Sequence, residues 1–154
     1  MGMIDKRLTE LGITLPAPTK PIANYVPWVK TGNLVFVSGQ GAVRDGKVEY
    51  PGKVGGSVSL EDGVKSARGC AISILSQLRD ACGGNLDRVK RIVKLVGFVN
   101  ATPSFADHPK VVNGASDLMV EVFGDKGRHA RSAVGSPSLP VNLSVEVEAI
   151  AEIE

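Results

Sequence analysis

The stretch RIVKLVGFVNA, residues 91–101, decides the fold. Ile92, Val93, Leu95, Val96, Phe98 and Val99 put apolar side chains on both faces of an extended run instead of alternating them with polar ones. A strand of this composition needs cover above and below. Upstream, from Ser59, the period becomes that of a helix. Val64, Ala67, Ala71, Ile74, Leu75, Leu78 and Cys82 fall on one face, Ser59 and Asp62 form a capping pair, and Gly83-Gly84 ends the element. Downstream, residues 107–123 carry the stripe Val111, Val112, Ala115, Leu118, Met119 and Val122, with Gly124 just beyond. These two helices can cover one face of the strand. Too little chain remains to cover the other, so the pattern predicts that another subunit does so.

Farther out, YVPWVKTGNLVFVSG (25–39) holds two apolar runs around Thr31-Gly-Asn33, the pattern of a β-hairpin, with Pro27 confining the first strand to an edge or bulge. A second break follows at Arg44-Asp-Gly46. The chain closes with HARSAVGSPSLPVNLSVEVEAIAEIE (129–154), two strand-like runs around a Pro-bounded loop. The order is strand, strand, helix, strand, helix, strand, strand: an α+β sheet with both helices on one face. Residues 5–12 read as a short helix stopped by Gly12, and LPAPTKP (15–21) as an extended connection. Residues 1–20 therefore form an N-terminal arm on a single domain, 21–154.

The chain's 154 residues fit one domain, and 43% hydrophobic and 22% charged residues are those of a soluble globular protein. A formal net charge of +2 gives nucleic acid little to bind, and the basic run Arg88, Lys90, Arg91 and Lys94 lacks interleaved aromatics, so it reads as a solvated strand edge. Cys70 and Cys82 lie twelve apart without CxxC or a His at metal spacing, as expected of reduced, partly buried thiols. The N-terminus has no apolar signal core, the longest apolar runs are too short to span a bilayer, and Gly2 lacks the downstream Ser/Thr of a myristoylation signal, so a cytoplasmic protein without membrane partners is expected. PGKVGGSVS (51–59) lacks the spacing of a phosphate loop and reads as a turn before the Ser59 helix.

In SVEVEAIAEIE (144–154), Val145, Val147, Ala149 and Ala151 suit the face under the helices, while Glu146, Glu148, Ile150 and Glu152 point the other way. A carboxylate there lies near the expected interface and needs a partner or a water. Arg131, early in the preceding strand, is expected to reach the same region, with Arg131 and Glu146 on adjoining strands. Pattern alone makes the pair either a plain ion pair or a site.

ANYVPWVKTGNLVFVSGQ, NGASDLMVEVFG, HARSAVG and LPVNLSVEVEAIAEI resemble the RidA/YjgF family of enamine/imine deaminases, also called endoribonuclease L-PSP. With its LGITLPAP lead-in the chain looks like the longer bacterial subgroup, and the resemblance runs from about Leu8 to the end. It implies a chorismate-mutase-like fold, a mixed sheet with two helices on one face, assembled as a homotrimer whose sheets form a central barrel. Clefts between neighbouring subunits would hold a small carboxylate substrate. The reaction implied is hydrolysis of 2-aminoacrylate-like enamines and imines to 2-keto acids and ammonia, without a cofactor.

The resemblance also assigns residues. Arg131 would hold the substrate carboxylate by two parallel hydrogen bonds, a geometry lysine does not offer. Glu146 would contact the attacking water and accept its proton, leaving Glu148 a structural part. Tyr25 matches an aromatic loop position that closes over the ligand, Ser38 and Gly39 line the cleft, and Asn113 is a polar position near the start of the second helix. Ala133 stands where shorter members often carry cysteine, so its backbone can bond a ligand but thiol chemistry is excluded. The loop from Gly135 to Pro140 also differs in content from that of short members, which leaves room for a larger substrate. One alternative is a protein that binds a small carboxylate in the same arginine cleft without turnover. An endoribonuclease built on His108 and His129 is disfavoured, because His108 begins a helix beside Pro109 and no base-stacking platform is visible.

Overall fold

The computed structural model describes residues 1–21 and 23–154. In chain order the elements are α1 (Met3–Glu10), β1 (Trp28–Thr31), β2 (Leu34–Gln40), the two-residue β3 (Val43–Arg44) and β4 (Lys47–Val48), α2 (Leu60–Ala81), β5 (Val89–Asn100), α3 (His108–Phe123), β6 (Ala130–Ser136) and β7 (Val145–Ile153). The main sheet has the order β1-β2-β7-β5-β6. All its pairs are antiparallel except β5–β6, which is parallel because α3 carries the chain back across the sheet between them. β3 and β4 form a separate small hairpin at the Asp45-Gly46 break.

Helices α2 and α3 pack against each other on one face of this sheet. Ser59 caps α2 by accepting the Asp62 N–H at 3.1 Å. The core between the layers is fully buried Ile74, Leu75 and Leu78 from α2, Leu118 and Met119 from α3, Ile92, Leu95 and Val99 from β5, and the small residues of β7. Each large apolar side chain buried there contributes about 1.5–3 kcal/mol. Both cysteines are fully buried, deeper than expected from sequence. Burial pushes the Cys70 thiol up to about 12, and its Sγ donates to the Val145 carbonyl at 3.3 Å. It is a packed core group.

The opposite face is bare in the single chain. Val29, Phe36 and Val134 are 52%, 41% and 43% exposed, and Val96, Phe98 and Ile150 are only half-buried. A depression of about 320 Å³ there is bordered by Val29, Phe36, Lys94, Val96, Glu148 and Ile150. The doubly apolar β5 thus has one face under helices and one face open. Its basic residues Lys90, Arg91 and Lys94 are exposed as expected, but β5 is an interior strand, not an edge. In the arm, α1 buries Leu8, and Arg7 Nε donates to the Glu121 carbonyl of α3 at 2.7 Å.

Candidate functional site

The site residues expected from sequence fall into two groups. The first gathers on α3 and β6. The parallel register pairs Arg131 with Leu95, which also pairs with Ala149, and both of those are buried under the helices. Partners across a ladder share a face. Arg131 therefore points to the helix side, and since β6 is an edge strand its side chain reaches α3. Its Nη1 donates to Asn113 Oδ1 at 2.8 Å and Ser116 Oγ at 3.1 Å, and its Nη2 donates to the Pro109 carbonyl at 3.2 Å. Nε–H and the second Nη2–H have no acceptor among the described residues, and no carboxylate pairs with this guanidinium. Ala133, two residues on along the same face, packs against the core.

Ser116 and the Pro109 carbonyl were not legible as site groups. The signal for Ser116 was its i, i+3 spacing from Asn113, which sets both on one helix face. Behind Ser116 stands His129, whose Nε2 lies 2.9 Å from Ser116 Oγ and whose Nδ1 lies 2.6 Å from the Gly127 carbonyl. Burial, followed by the nearby Arg131 charge, moves the His129 pKa below its ordinary value, with the Gly127 bond opposing. The shift favours the neutral ring. A carbonyl only accepts, so Nδ1 carries the proton and Nε2 accepts from Ser116, whose oxygen in turn accepts from Arg131. His129 packs at the strand end, as its position in sequence indicated, and it also fixes the hydroxyl that holds the arginine.

The second group lies on β2 and β7. Glu146 pairs with Phe98, which pairs with Val134, and this row is on the open face. Gly39 lies against it: a Cβ at position 39 would come within 1.9 Å of Glu146 Oε1. Only glycine leaves room for the carboxylate there. Glu146 accepts no hydrogen bond among the described residues, and burial, with a smaller contribution from Glu148, raises its pKa above the usual carboxylate value. Glu148 is exposed one pleat along. Ser38 donates from both N–H (2.9 Å) and Oγ (3.1 Å) to the Pro27 carbonyl, tying β2 to the loop that carries Tyr25. Tyr25 is 55% exposed, and together with Ser38, Gly39 and Gln40 it lines a cavity of about 110 Å³.

The expectation that Arg131 and Glu146 occupy adjoining strands is wrong. β5 lies between β6 and β7, and the two side chains leave opposite faces of the sheet. Within one chain the arginine fork and the carboxylate do not meet. Among the described residues no group of three His, Cys, Asp or Glu is placed to hold a metal, and no helix is long and apolar enough to cross a membrane.

The α+β domain of this topology thus carries an anchored arginine on an edge strand and a half-buried carboxylate on an open sheet face. Residues 5–153 match the family model described as "YjgF/chorismate_mutase-like, putative endoribonuclease". The chain is 46% identical over 153 residues to Protein TCP17 of Trypanosoma cruzi, covering 99% of this chain and 95% of that one. It is 29% identical over 143 residues to a 2-iminobutanoate/2-iminopropanoate deaminase of Dermatophagoides farinae, covering 92% and 95%. Among solved structures it is similar to Atu1372, a protein of unknown function from Agrobacterium tumefaciens, with 47% identity, a TM-score of 0.93, and coverage of 98% of this chain and 92% of that one. The chain belongs to the YjgF/chorismate-mutase-like family.

Proposed function

We propose that this protein is a hydrolytic deaminase of small 2-imino carboxylates, working in clefts of a homotrimer where Arg131 of one copy faces Glu146 of the next. The observation that carries this reading is the Arg131 guanidinium. Three acceptors on α3 fix it, no acidic side chain among the described residues neutralises it, and two N–H donors stay open to a carboxylate. The open face of the sheet, with Phe36, Val29 and Val134 exposed, supports assembly with further copies. The deaminase among its relatives supports the reaction class.

The chemistry is balanced without a cofactor. An enamine such as 2-aminoacrylate first takes a proton at C3 and gives one up from nitrogen, becoming the imine. Glu146 takes a proton from water, the oxygen attacks the imine carbon, the C=N pair moves to nitrogen, and Glu146 returns its proton to that nitrogen. The carbinolamine then loses ammonia as the C–N bond breaks and the C=O bond forms. A carboxylate with a raised pKa suits proton transfer near neutrality better than an ordinary one.

RNA cleavage by paired imidazoles fits less well. His108 opens α3, and His129 bonds to Ser116 eight residues along that helix, a rise of about 12 Å, so the two rings are not a pair. The test is to generate 2-aminoacrylate and 2-iminobutanoate in situ with a dehydratase and follow 2-keto acid release. Wild type accelerates release and Arg131→Ala does not. Acceleration that survives Arg131→Ala contradicts the clamp, and none with wild type contradicts the reaction.

A further inference from the structure

One groove lies outside both groups. It encloses about 430 Å³ between the start of α3, the end of β6 and the segment around residue 53, and Lys53, Thr102, Phe105, His108 and Ser136 line it without any acidic side chain. It continues the Arg131 side of β6. Arg131, Ala133 and Gly135 alternate onto one face, and Pro109, whose carbonyl holds Arg131, follows His108 directly. The His108 ring stands over Gly135, where a Cβ would come within 2.6 Å of Nε2, and Phe105 holds it edge-on with centroids 5.3 Å apart.

Lys53 is fixed at the far wall. Gly52 N–H donates to the Asn142 carbonyl and Val54 N–H to the Asn100 carbonyl, so the backbone on either side is pinned. Its ammonium donates to Asn100 Oδ1 at 3.1 Å and to the Pro137 carbonyl. An ammonium has three donors, so one remains, and no carboxylate lies within ion-pair distance among the described residues. An unneutralised lysine thus stands in a groove whose Gly135 wall lies on the same strand face as the unneutralised Arg131.

We infer that the substrate is a 2-imino dicarboxylate: Arg131 takes the carboxylate beside the C=N carbon, and Lys53, with the His108 ring alongside, takes an acidic group at the end of the side chain. This rests on the deaminase reading and names its substrate class. Two cationic donors on one continuous face select a diacid over a monoacid, because only a diacid gives the remaining Lys53 N–H an anionic acceptor.

The experiment compares 2-iminoglutarate and 2-iminosuccinate with 2-iminobutanoate, each generated in situ by an amino-acid oxidase. In parallel, equilibrium binding of 2-oxoglutarate and 2-oxobutanoate is measured on wild type, Lys53→Met and Lys53→Arg. Wild type prefers the diacids in kcat/KM and in binding. Lys53→Met cuts that preference about tenfold, the size of one charge-assisted hydrogen bond, while Lys53→Arg keeps most of it. Hydrolysis of 2-iminobutanoate with no diacid preference, or a preference indifferent to Lys53→Met, overturns the subsite and leaves the deaminase reading standing. Lys53-dependent diacid binding without hydrolysis of any imine overturns the deaminase reading and leaves the subsite. Neither hydrolysis nor Lys53-dependent binding overturns both.

Discussion

Arg131 and Glu146 are the two charged groups on which the proposed chemistry depends, and the chain treats them oppositely. Arg131 is held by Asn113, Ser116 and the Pro109 carbonyl, with His129 bracing Ser116 from behind. Glu146 accepts no hydrogen bond among the described residues, rests against the bare backbone of Gly39, and is pushed toward its protonated form by burial. In the proposed reaction this difference separates a binding group from a reacting one. A fork that must meet a planar carboxylate gains from being rigid. A base that must take a proton gains from being poorly solvated and unpartnered.

The largest effect that would break this contrast is on the reacting group. Glu146→Gln keeps the shape but removes the base, and kcat on 2-iminobutanoate falls about 10²–10⁴-fold with KM little changed. Arg131→Ala removes a bidentate clamp, and kcat/KM falls about 100-fold, with Arg131→Lys recovering little of it. Steady-state kinetics decide between them: a Glu146→Gln defect confined to KM contradicts the assignment. Gly39→Ala comes next. Its methyl would displace the flexible Glu146 side chain without touching the core, so activity falls about tenfold or more while thermal stability changes little.

The bracing behind the fork sharpens the contrast at smaller magnitude. Ser116→Ala removes one of three acceptors and loosens Arg131, raising KM a few-fold, about the worth of one hydrogen bond, with kcat preserved. The smallest effect is on pH. The acid limb of kcat/KM lies above the ordinary carboxylate range, and Glu148→Gln, which removes the lesser of the two causes, moves that limb modestly to lower pH. Stability follows with a definite sign. A raised carboxylate pKa means the folded state holds the proton more tightly than the unfolded one, so this group's contribution declines as pH rises from the unfolded value through the folded one. Glu146→Gln is therefore no less stable than wild type near neutral pH, and its advantage disappears below about pH 4. Thermal melts across pH check this.

Much of the fold was legible because it rests on local rules. The α2 stripe, its Ser59 cap, the turn at Gly32 and the doubly apolar β5 each follow from spacing and residue type. The candidate site residues came from family resemblance, and their arrangement in space was not legible in the sequence. HARSAVG and SVEVEAI are neighbours in sequence, and consecutive strands usually pair. Here β6 takes a parallel place beside β5 and β7 returns on the other side of β5, and the register, which aligns Arg131 with Leu95 but Glu146 with Phe98, puts the two on opposite faces. Ser116 and Lys53 were invisible for a related reason: their contacts reach across elements, and no periodicity records where a side chain on one element ends against another.

The central claim is that the site is completed only between copies, and mixing two inactive variants tests it most directly. Arg131→Ala and Glu146→Gln are purified separately, dissociated, reassembled together and assayed on 2-iminobutanoate. If Arg131 of one copy works with Glu146 of its neighbour, random trimers of the two recover about a quarter of wild-type activity, because three-quarters of them contain one intact cleft in three. If both residues serve from the same chain, the mixture stays as inactive as its parts, and that result contradicts the account.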